Sequence, residues 1–278
     1  MPESLNFRAA MLSMTILATV MLVWELATLP PEKAAAGNSE YAQLMGGAAK
    51  TTSGLPTLRQ IGETVWKHLQ HPFYDNGAND KGIGIQLAYS IGRVSLGFAL
   101  AVLVAIPLGF VIGMSPLLHR ALNPFIQVLK PISPLAWMPL ALYTIKDSAV
   151  SSVFVIFICS LWPMLINTAH GVASVKRDWL NVARTLEVRP WRLAFEVILP
   201  AAAPTILTGM RISMGIAWLV IVAAEMLVGG TGIGYFVWNE WNNLSLTNVI
   251  FAILMIGMVG MGLDLLFGRL QKLVTYVE

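Results

Sequence analysis

Residues 171–200, GVASVKRDWLNVARTLEVRPWRLAFEVILP, place five cations between long apolar runs. The cations are Lys176, Arg177, Arg184, Arg189 and Arg192. In the same stretch Trp179, Val182, Ala183 and Leu186 recur at helical spacing and predict one apolar helix face. So basic a segment does not cross a bilayer. We therefore interpret residues 171–200, named here the basic loop, as a folded, solvated connection between membrane spans. Physical grounds alone leave two uses open, docking of a soluble partner and contact with anionic lipid.

The composition indicates an integral membrane protein. Of its 278 residues, 56% are apolar and 12% are charged, against roughly 25% charged in soluble domains. The net charge of +3 is small, and the basic residues lie mainly in loops between apolar stretches. Both facts disfavour nucleic-acid binding. Cys159 is the single cysteine, so the chain has no internal disulfide and no paired redox motif.

Six membrane spans are predicted, because a bilayer core of about 30 Å needs about 20 apolar residues. They lie at residues 9–30, 90–114, 122–145, 149–169, 198–228 and 248–268. The alternative for the first stretch is a signal peptide, but its apolar length favours a span. The fifth span is long enough to tilt, to kink at Pro204 or to begin as an interfacial helix. The domain prediction is a first helix at 1–30, an external segment at 31–85, and a membrane core at 86–273 with helices of the basic loop at 171–197.

Positive charge in short loops predicts the orientation. Arg8, Arg120, the basic loop, and Arg269 with Lys272 fall on one side, which is then the cytoplasm, and both termini lie there. The opposite loop at 229–247 holds no Lys or Arg. In the external segment, an amphipathic helix is predicted from the spacing of Leu58, Ile61, Val65, Trp66 and Leu69. For the role of this segment, a packed cap without a ligand and a binding role are both left open.

Catalytic motifs are absent from the sequence. It has no GxxxxGK[ST] phosphate loop, and the glycine-rich run at 229–234 follows a span, so we interpret that run as a turn. His68, His71, His119 and His170 are scattered along the chain and predict neither a metal site nor a catalytic triad. No internal repeat is visible, which disfavours a self-contained secondary carrier, the main alternative from another class.

The basic loop divides into two short helices. Asp178 is the predicted cap of the first, and Pro190 suits the first turn of the second. Because a residue before proline disfavours helix, the chain must bend between Glu187 and Pro190.

Several motifs resemble those of permease subunits of ABC importers. Asn181-Val182-Ala183, three residues, Glu187 and then Ile198-Leu199-Pro200 are similar to the family's EAA loop. Further similarities are Ile132 to Pro139 with IPxLAWxPL, Asn167, Thr168 and Gly171 with NTxxG, and Gly209, Met210, Arg211, Gly215, Ala217, Trp218, Ala224 and Glu225 with GLRxxxGxAW and AE. The resemblance covers about residues 86–273 and is strongest to the nitrate, sulfonate, taurine and bicarbonate branch, within it to nitrate permeases.

The resemblance implies an all-α, type I ABC importer permease fold with six transmembrane helices in the bacterial inner membrane. It also implies a second copy of the chain, two ATPase subunits that use ATP and Mg, and a periplasmic or lipid-anchored binding protein. The chain itself would be non-catalytic and bind no cofactor. The implied substrate is a small oxyanion, best matched by nitrate with nitrite; bicarbonate, sulfonate and taurine are the alternatives.

In that family the EAA loop forms coupling helices that fit a groove of the ATPase. The positions implied here are Asn181, Ala183, Arg184, Glu187, Arg189, Pro190, Leu199 and Pro200. Asn181 stands where the motif has Glu, and Glu187 where it has Gly. Since glycine adopts positive φ easily, we expect Pro190 to set the turn instead.

Charged residues inside spans need a partner or a watery cavity. They are Glu25, Arg93, Lys130, Arg211, Glu225 and Asp264. Lys130, beside Pro131 and Pro134, and Arg211 are the candidate cations of an anion pathway, with structural hydrogen bonds or snorkelling as the alternative. Trp137, Tyr143, Asn167 and Thr168 are further candidate lining residues, with core packing as their alternative. Arg93 and Asp264 are expected to reach the membrane interfaces without a functional role.

Overall fold

The structure, a computed structural model, describes residues 2–28, 55–77 and 80–274. Within these ranges it forms the helices α1 (Pro2–Thr28), α2 (Leu58–Gln70), α3 (Ile83–Met114), α4 (Pro116–Leu129), α5 (Pro134–Ile145), α6 (Ser148–Ala173), α7 (Arg177–Thr185), α8 (Pro190–Val228), α9 (Ile233–Asn242) and α10 (Leu246–Val274). Residues 31–54, 78 and 79 of the predicted external segment lie outside the described residues.

The chain divides into two units, Met1–His71 with Glu240–Ala252, and Pro72–Asn239 with Ile253–Glu278. In the first unit, α2 confirms the predicted amphipathic helix and begins with a capping box between Thr57 and Gln60. The His68 ring stacks on Phe251 with centroids 4.7 Å apart.

The core of the second unit forms where α6 packs against both α3 and α8. Two glycines let these helices approach closely. A Cβ atom at Gly109 of α3 would overlap Thr168 of α6, and one at Gly209 of α8 would overlap Asn167. In lipid the hydrophobic effect does not drive helices together, so their association depends on close van der Waals packing, which small residues at such crossings allow.

The loop before α3 is closed by backbone hydrogen bonds from Gly82 N–H to the Tyr74 carbonyl and from Gly84 N–H to the Pro72 carbonyl, both 2.7 Å. Asp75 accepts a hydrogen bond from the Gly77 N–H and pairs with Lys81 at 3.2 Å. Both contacts favour the carboxylate and lower the pKa of Asp75.

Five helices are long and apolar enough to cross a membrane, and the bent pair α4–α5 brings the number to six among the described residues if it is one span. The predicted span at 122–145 is not one continuous helix, because α4 and α5 meet at 91°. Pro131 has no N–H for the helix ladder, and Pro134 starts α5 as its first residue. Lys130 lies at this break.

The fifth predicted span is longer than expected. Helix α8 begins at Pro190, passes through a π-helical stretch at Leu193–Ile198 and continues through Pro204. After it, Gly229 (φ 79°) and Gly230 (φ 92°) form the predicted turn. Helix α9, which follows that turn, was not predicted.

Candidate functional site

The predicted bend of the basic loop is present, between α7 and the start of α8. The second helix is not the short one expected, because it continues as α8 to Val228. Helix α7 is capped at Lys176 without a side-chain hydrogen bond, so the prediction of Asp178 as the cap is wrong. Asp178 instead lies in the first turn, where a carboxylate favourably faces the positive end of the helix dipole.

The bend after α7 is a Schellman motif. The Val188 N–H donates to the Ala183 carbonyl and the Glu187 N–H to the Arg184 carbonyl, both at 3.0 Å. This motif needs a left-handed residue at Glu187, whose φ is 50°. The expectation that Pro190 replaces the missing positive φ is therefore wrong, since Glu187 adopts it despite its side chain. Pro190 does start α8, after an extended Arg189 (φ −58°, ψ 143°).

The apolar face predicted for α7 is mostly exposed. Ala183 is buried, but Val182 and Leu186 are 60% and 70% exposed, and Trp179 is exposed as well. The buried side of the helix includes Leu180, which packs on a cluster of Val172, Val175, Ile198, Ala202 and Ile206. The predicted face therefore points outward in the single chain.

The outer surface of the basic loop mixes aromatic, aliphatic and cationic side chains. Trp191 and Phe195 are exposed on the start of α8, with ring centroids 4.4 Å apart. The Lys176 ammonium lies over the Trp179 ring at 5.4 Å. Asn181, Arg184, Arg189 and Pro200 are also exposed, and Leu199 is half-buried. Aromatic residues and Arg are enriched in protein–protein interfaces, so this surface has the composition of an interface.

Lys130 faces a cavity of about 300 Å³ between α4 and α6. The cavity is also lined by the polar side chains of His119, Asn123, Gln127 and His170. His119 and His170, which are far apart in the sequence, thus line the same cavity. Groups of three or more His, Cys, Asp or Glu that could hold a metal ion are not found in the described part of the chain.

The other candidate pathway residues do not line this cavity. Thr168 is fully buried against α3, and Asn167 donates to the Pro163 carbonyl of its own helix at 2.8 Å. Both contacts correspond to the packing alternative. Trp137 is half-buried on α5, and Tyr143 is 83% exposed.

Arg211 is held by Asp264 of α10. Its Nε and one terminal nitrogen each donate to a carboxylate oxygen at 2.6 Å. This bidentate pair corresponds to the structural alternative for Arg211. It also corrects the expectation for Asp264, which has a partner between helices instead of merely reaching an interface.

Glu225 and Arg93 form a buried ion pair that the sequence did not predict. The Arg93 guanidinium lies 2.8 Å from the Glu225 carboxylate, and their side chains are 17% and 1% exposed. Ser90 and the Gly234 N–H also donate to this carboxylate. The expectation that Arg93 only snorkels is therefore wrong.

The turn after α8 closes over this ion pair. Arg93 also donates to the Thr231 carbonyl at 2.7 Å, and the Gly232 N–H donates to the Gln86 side chain at 2.6 Å. A Cβ atom at Gly232 would overlap the Glu225 carboxylate, so the close approach requires glycine. The glycine-rich run and the two unpaired charges in spans were the only signals of this cluster in the sequence.

Comparison with known proteins places these features in a family context. Residues 105–275 match the model of the family described as binding-protein-dependent transport system inner membrane component. The chain is 44% identical over 226 residues to the nitrate import permease protein NrtB of Synechocystis sp., covering 81% of this chain and 82% of that protein. It is also 44% identical over 208 residues to the bicarbonate transport system permease protein CmpB of the same organism, covering 74% of each.

A solved structure shares the fold. A chain of the inward-facing MetNI methionine ABC transporter superposes with a TM-score of 0.61 at 12% sequence identity. The superposition covers 68% of this chain and 94% of that chain.

Proposed function

This chain belongs to the binding-protein-dependent inner membrane components of ABC importers, and from that premise we propose that it is the permease subunit of an ATP-driven nitrate importer, with nitrite as a second substrate. Membership confirms the predicted family, and the superposition confirms the predicted fold. The chain is a multi-pass, non-catalytic membrane subunit of the nitrate and bicarbonate branch.

Nitrate is supported by the extent of the similarity. The nitrate permease matches 81% of the chain, and the bicarbonate permease matches 74% at the same identity. The cavity at Lys130 suits a small anion, since no carboxylate is among its lining residues. The equal identity to a bicarbonate permease makes bicarbonate the second candidate.

The proposed assembly contains two copies of this chain, two ATPase subunits and a periplasmic or lipid-anchored binding protein. The ATPase docks on the basic loop, whose exposed Trp179, Val182 and Leu186 lie beside Arg184 and Arg189. We assign this side to the cytoplasm, because it carries the cations of the basic loop together with Arg120, Arg269 and Lys272, whereas the opposite loop at 229–247 holds no Lys or Arg.

The connection between α7 and α8 can transmit movement from the basic loop to the membrane helices. The turn between them is short and closed by two hydrogen bonds, so displacement of α7 moves the start of α8. Ion pairs join α8 to its neighbours, through Glu225 to α3 and through Arg211 to α10. ATP-driven movement of the basic loop is thereby passed to the helices around the pathway, and alternating access results.

The substrate proposal is tested by reconstituting the full complex with its binding protein in proteoliposomes. Nitrate should stimulate ATP hydrolysis and accumulate inside, with bicarbonate and taurine giving less of both. Stimulation by bicarbonate alone would replace nitrate with the second candidate. Anion transport by the permease without any ATPase would overturn the importer proposal altogether.

The docking proposal is tested by reversing charge on the basic loop. Arg184→Glu and Arg189→Glu should uncouple ATP hydrolysis from uptake while the protein still inserts into the membrane. Arg269→Glu is the matched control, an exposed arginine outside the loop. Unchanged uptake in both loop variants would contradict docking there.

A further inference from the structure

A polar stripe runs along one face of α4. His119, Asn123, Gln127 and Lys130 recur at intervals of three or four residues, which places them on one side of the helix. The remaining sides of α4 carry residues such as Leu118, Leu122, Phe125 and Val128, all exposed in the single chain. The helix is therefore amphipathic within a predicted membrane span.

The stripe borders the cavity between α4 and α6, which His170 of α6 also lines. Polar side chains in a span require water or protein around them, because lipid satisfies none of their hydrogen bonds. Five side chains are thus polar and line the cavity: His119, Asn123, Gln127, Lys130 and His170. None of the five forms a hydrogen bond or an ion pair with any other described residue. Their donors are thus available to a ligand or to water.

The donors are also spread in a row along the length of α4. Lys130 lies at the α4–α5 break, and His119 lies about 16 Å away at 1.5 Å per residue. His170 is near the end of α6 that leads into α7. The stripe thus leads from the break in the span to the side of the membrane that carries the basic loop.

We propose that the α4–α6 cavity binds the transported oxyanion between the α4–α5 break and the basic loop, with Lys130 as its charged end and Asn123, Gln127, His119 and His170 as hydrogen-bond donors. This inference rests on the proposed function, because it takes the oxyanion to be the substrate.

The chemistry of the lining favours an anion. It includes one ammonium and two amides, with no carboxylate, so a cation finds no counter-charge there. A volume of about 300 Å³ holds a small oxyanion with several waters, since a water occupies about 30 Å³ in the liquid. A single cation with weaker donors also permits release, which a pathway site requires. By contrast, a larger cavity beside Trp191 and Phe195 is lined by apolar residues, which suit no oxyanion.

Binding is tested by thiol modification in the full complex. Asn123→Cys is made in a Cys159→Ala background and treated with an anionic methanethiosulfonate reagent. We expect ready modification, slowed by nitrate in a saturable way and by about tenfold at ten times the half-protecting concentration. Val128→Cys on the opposite face is the matched control and should show no protection.

The possible outcomes distinguish a failure of the cavity inference from a failure of the nitrate proposal. If nitrate stimulates ATP hydrolysis in the wild-type complex but leaves the Asn123→Cys reaction unchanged, the cavity inference falls and the proposed function stands. If only bicarbonate both stimulates and protects, the cavity stands as an anion site and the nitrate proposal falls. Absence of modification shows a site closed to aqueous anions and also overturns the inference.

Uptake measurements give a second readout. Lys130→Gln should lower kcat/KM by about tenfold, the loss expected for removing one hydrogen bond to a charged ligand, and Lys130→Arg should restore most of it. The control is Arg120→Gln, which removes a positive charge from the same helix at a residue that does not line the cavity. Equal uptake by Lys130→Gln and the wild type would overturn the role of Lys130.

Discussion

Removing the Glu225 carboxylate should destabilise the protein more than any loss of an exposed charge. In the structure it accepts hydrogen bonds from Arg93 at 2.8 Å, from Ser90 and from the Gly234 N–H at 3.0 Å. Glu225→Ala leaves the Arg93 guanidinium without its counter-ion in a site that is largely closed to solvent.

The expected loss is about 3–5 kcal/mol, the range for breaking a buried ion pair by removing one partner. Most of it comes from the charge left unpaired, so the separate hydrogen bonds are not added to it. At roughly 2–4 °C per kcal/mol for a chain of this size, the unfolding midpoint should fall by about 6–20 °C.

Thermal unfolding in detergent, followed by fluorescence of the nine tryptophans, measures this loss. The matched control is Glu63→Ala, which breaks an Arg–Glu pair of nearly the same length, 2.9 Å, with side chains 88% and 65% exposed. The control should lose less than about 0.5 kcal/mol. Equal shifts for Glu225→Ala and Glu63→Ala would refute the claim that burial of the ion pair holds α3 and α8 together.

Three further changes test other contacts. Glu187→Gly should slow amide exchange at the end of α7, because it relieves a left-handed residue at a gain of about 1 kcal/mol; equal exchange in Glu187→Gly and Glu187→Val would contradict this. Arg211→Gln should lower the unfolding midpoint, and the charge swap Arg211→Asp with Asp264→Arg should recover part of it; a swap no better than Arg211→Gln would argue against the pair. Gly232→Ala should destabilise by about 1–3 kcal/mol through overlap with the Glu225 carboxylate, and a fully stable variant would show that the turn can move aside.

Local patterns predicted the helices well because they depend on neighbours in the chain. The apolar runs marked α1, α3, α6, α8 and α10, since only about 20 such residues cross a bilayer as a helix. The break at Lys130 was missed although Pro131 and Pro134 were visible, because the length of the stretch suited one continuous span. The short helix α9 was missed because glycines precede it and its apolar content is low for a span.

The candidate site was only partly predictable. The exposed cations of the basic loop and the start of α8 at Pro190 follow from sequence. The exposure of Val182 and Leu186 does not, because either side of an amphipathic helix can face the protein when a partner covers the other. The left-handed φ of Glu187 is likewise set by the hydrogen bonds of the turn, which overcome the preference of its side chain.

Apolar length, charge and proline act over a few residues, so they are enough to identify a multi-span helical membrane protein with a basic, bent loop. Which charges neutralise one another depends instead on how the helices pack. Arg93 and Glu225 are 132 residues apart, and only the packing of α3 beside α8 brings them within 2.8 Å. Helix packing also decided that Arg211 is paired while Lys130 faces a cavity, because desolvation and pairing depend on which helices become neighbours.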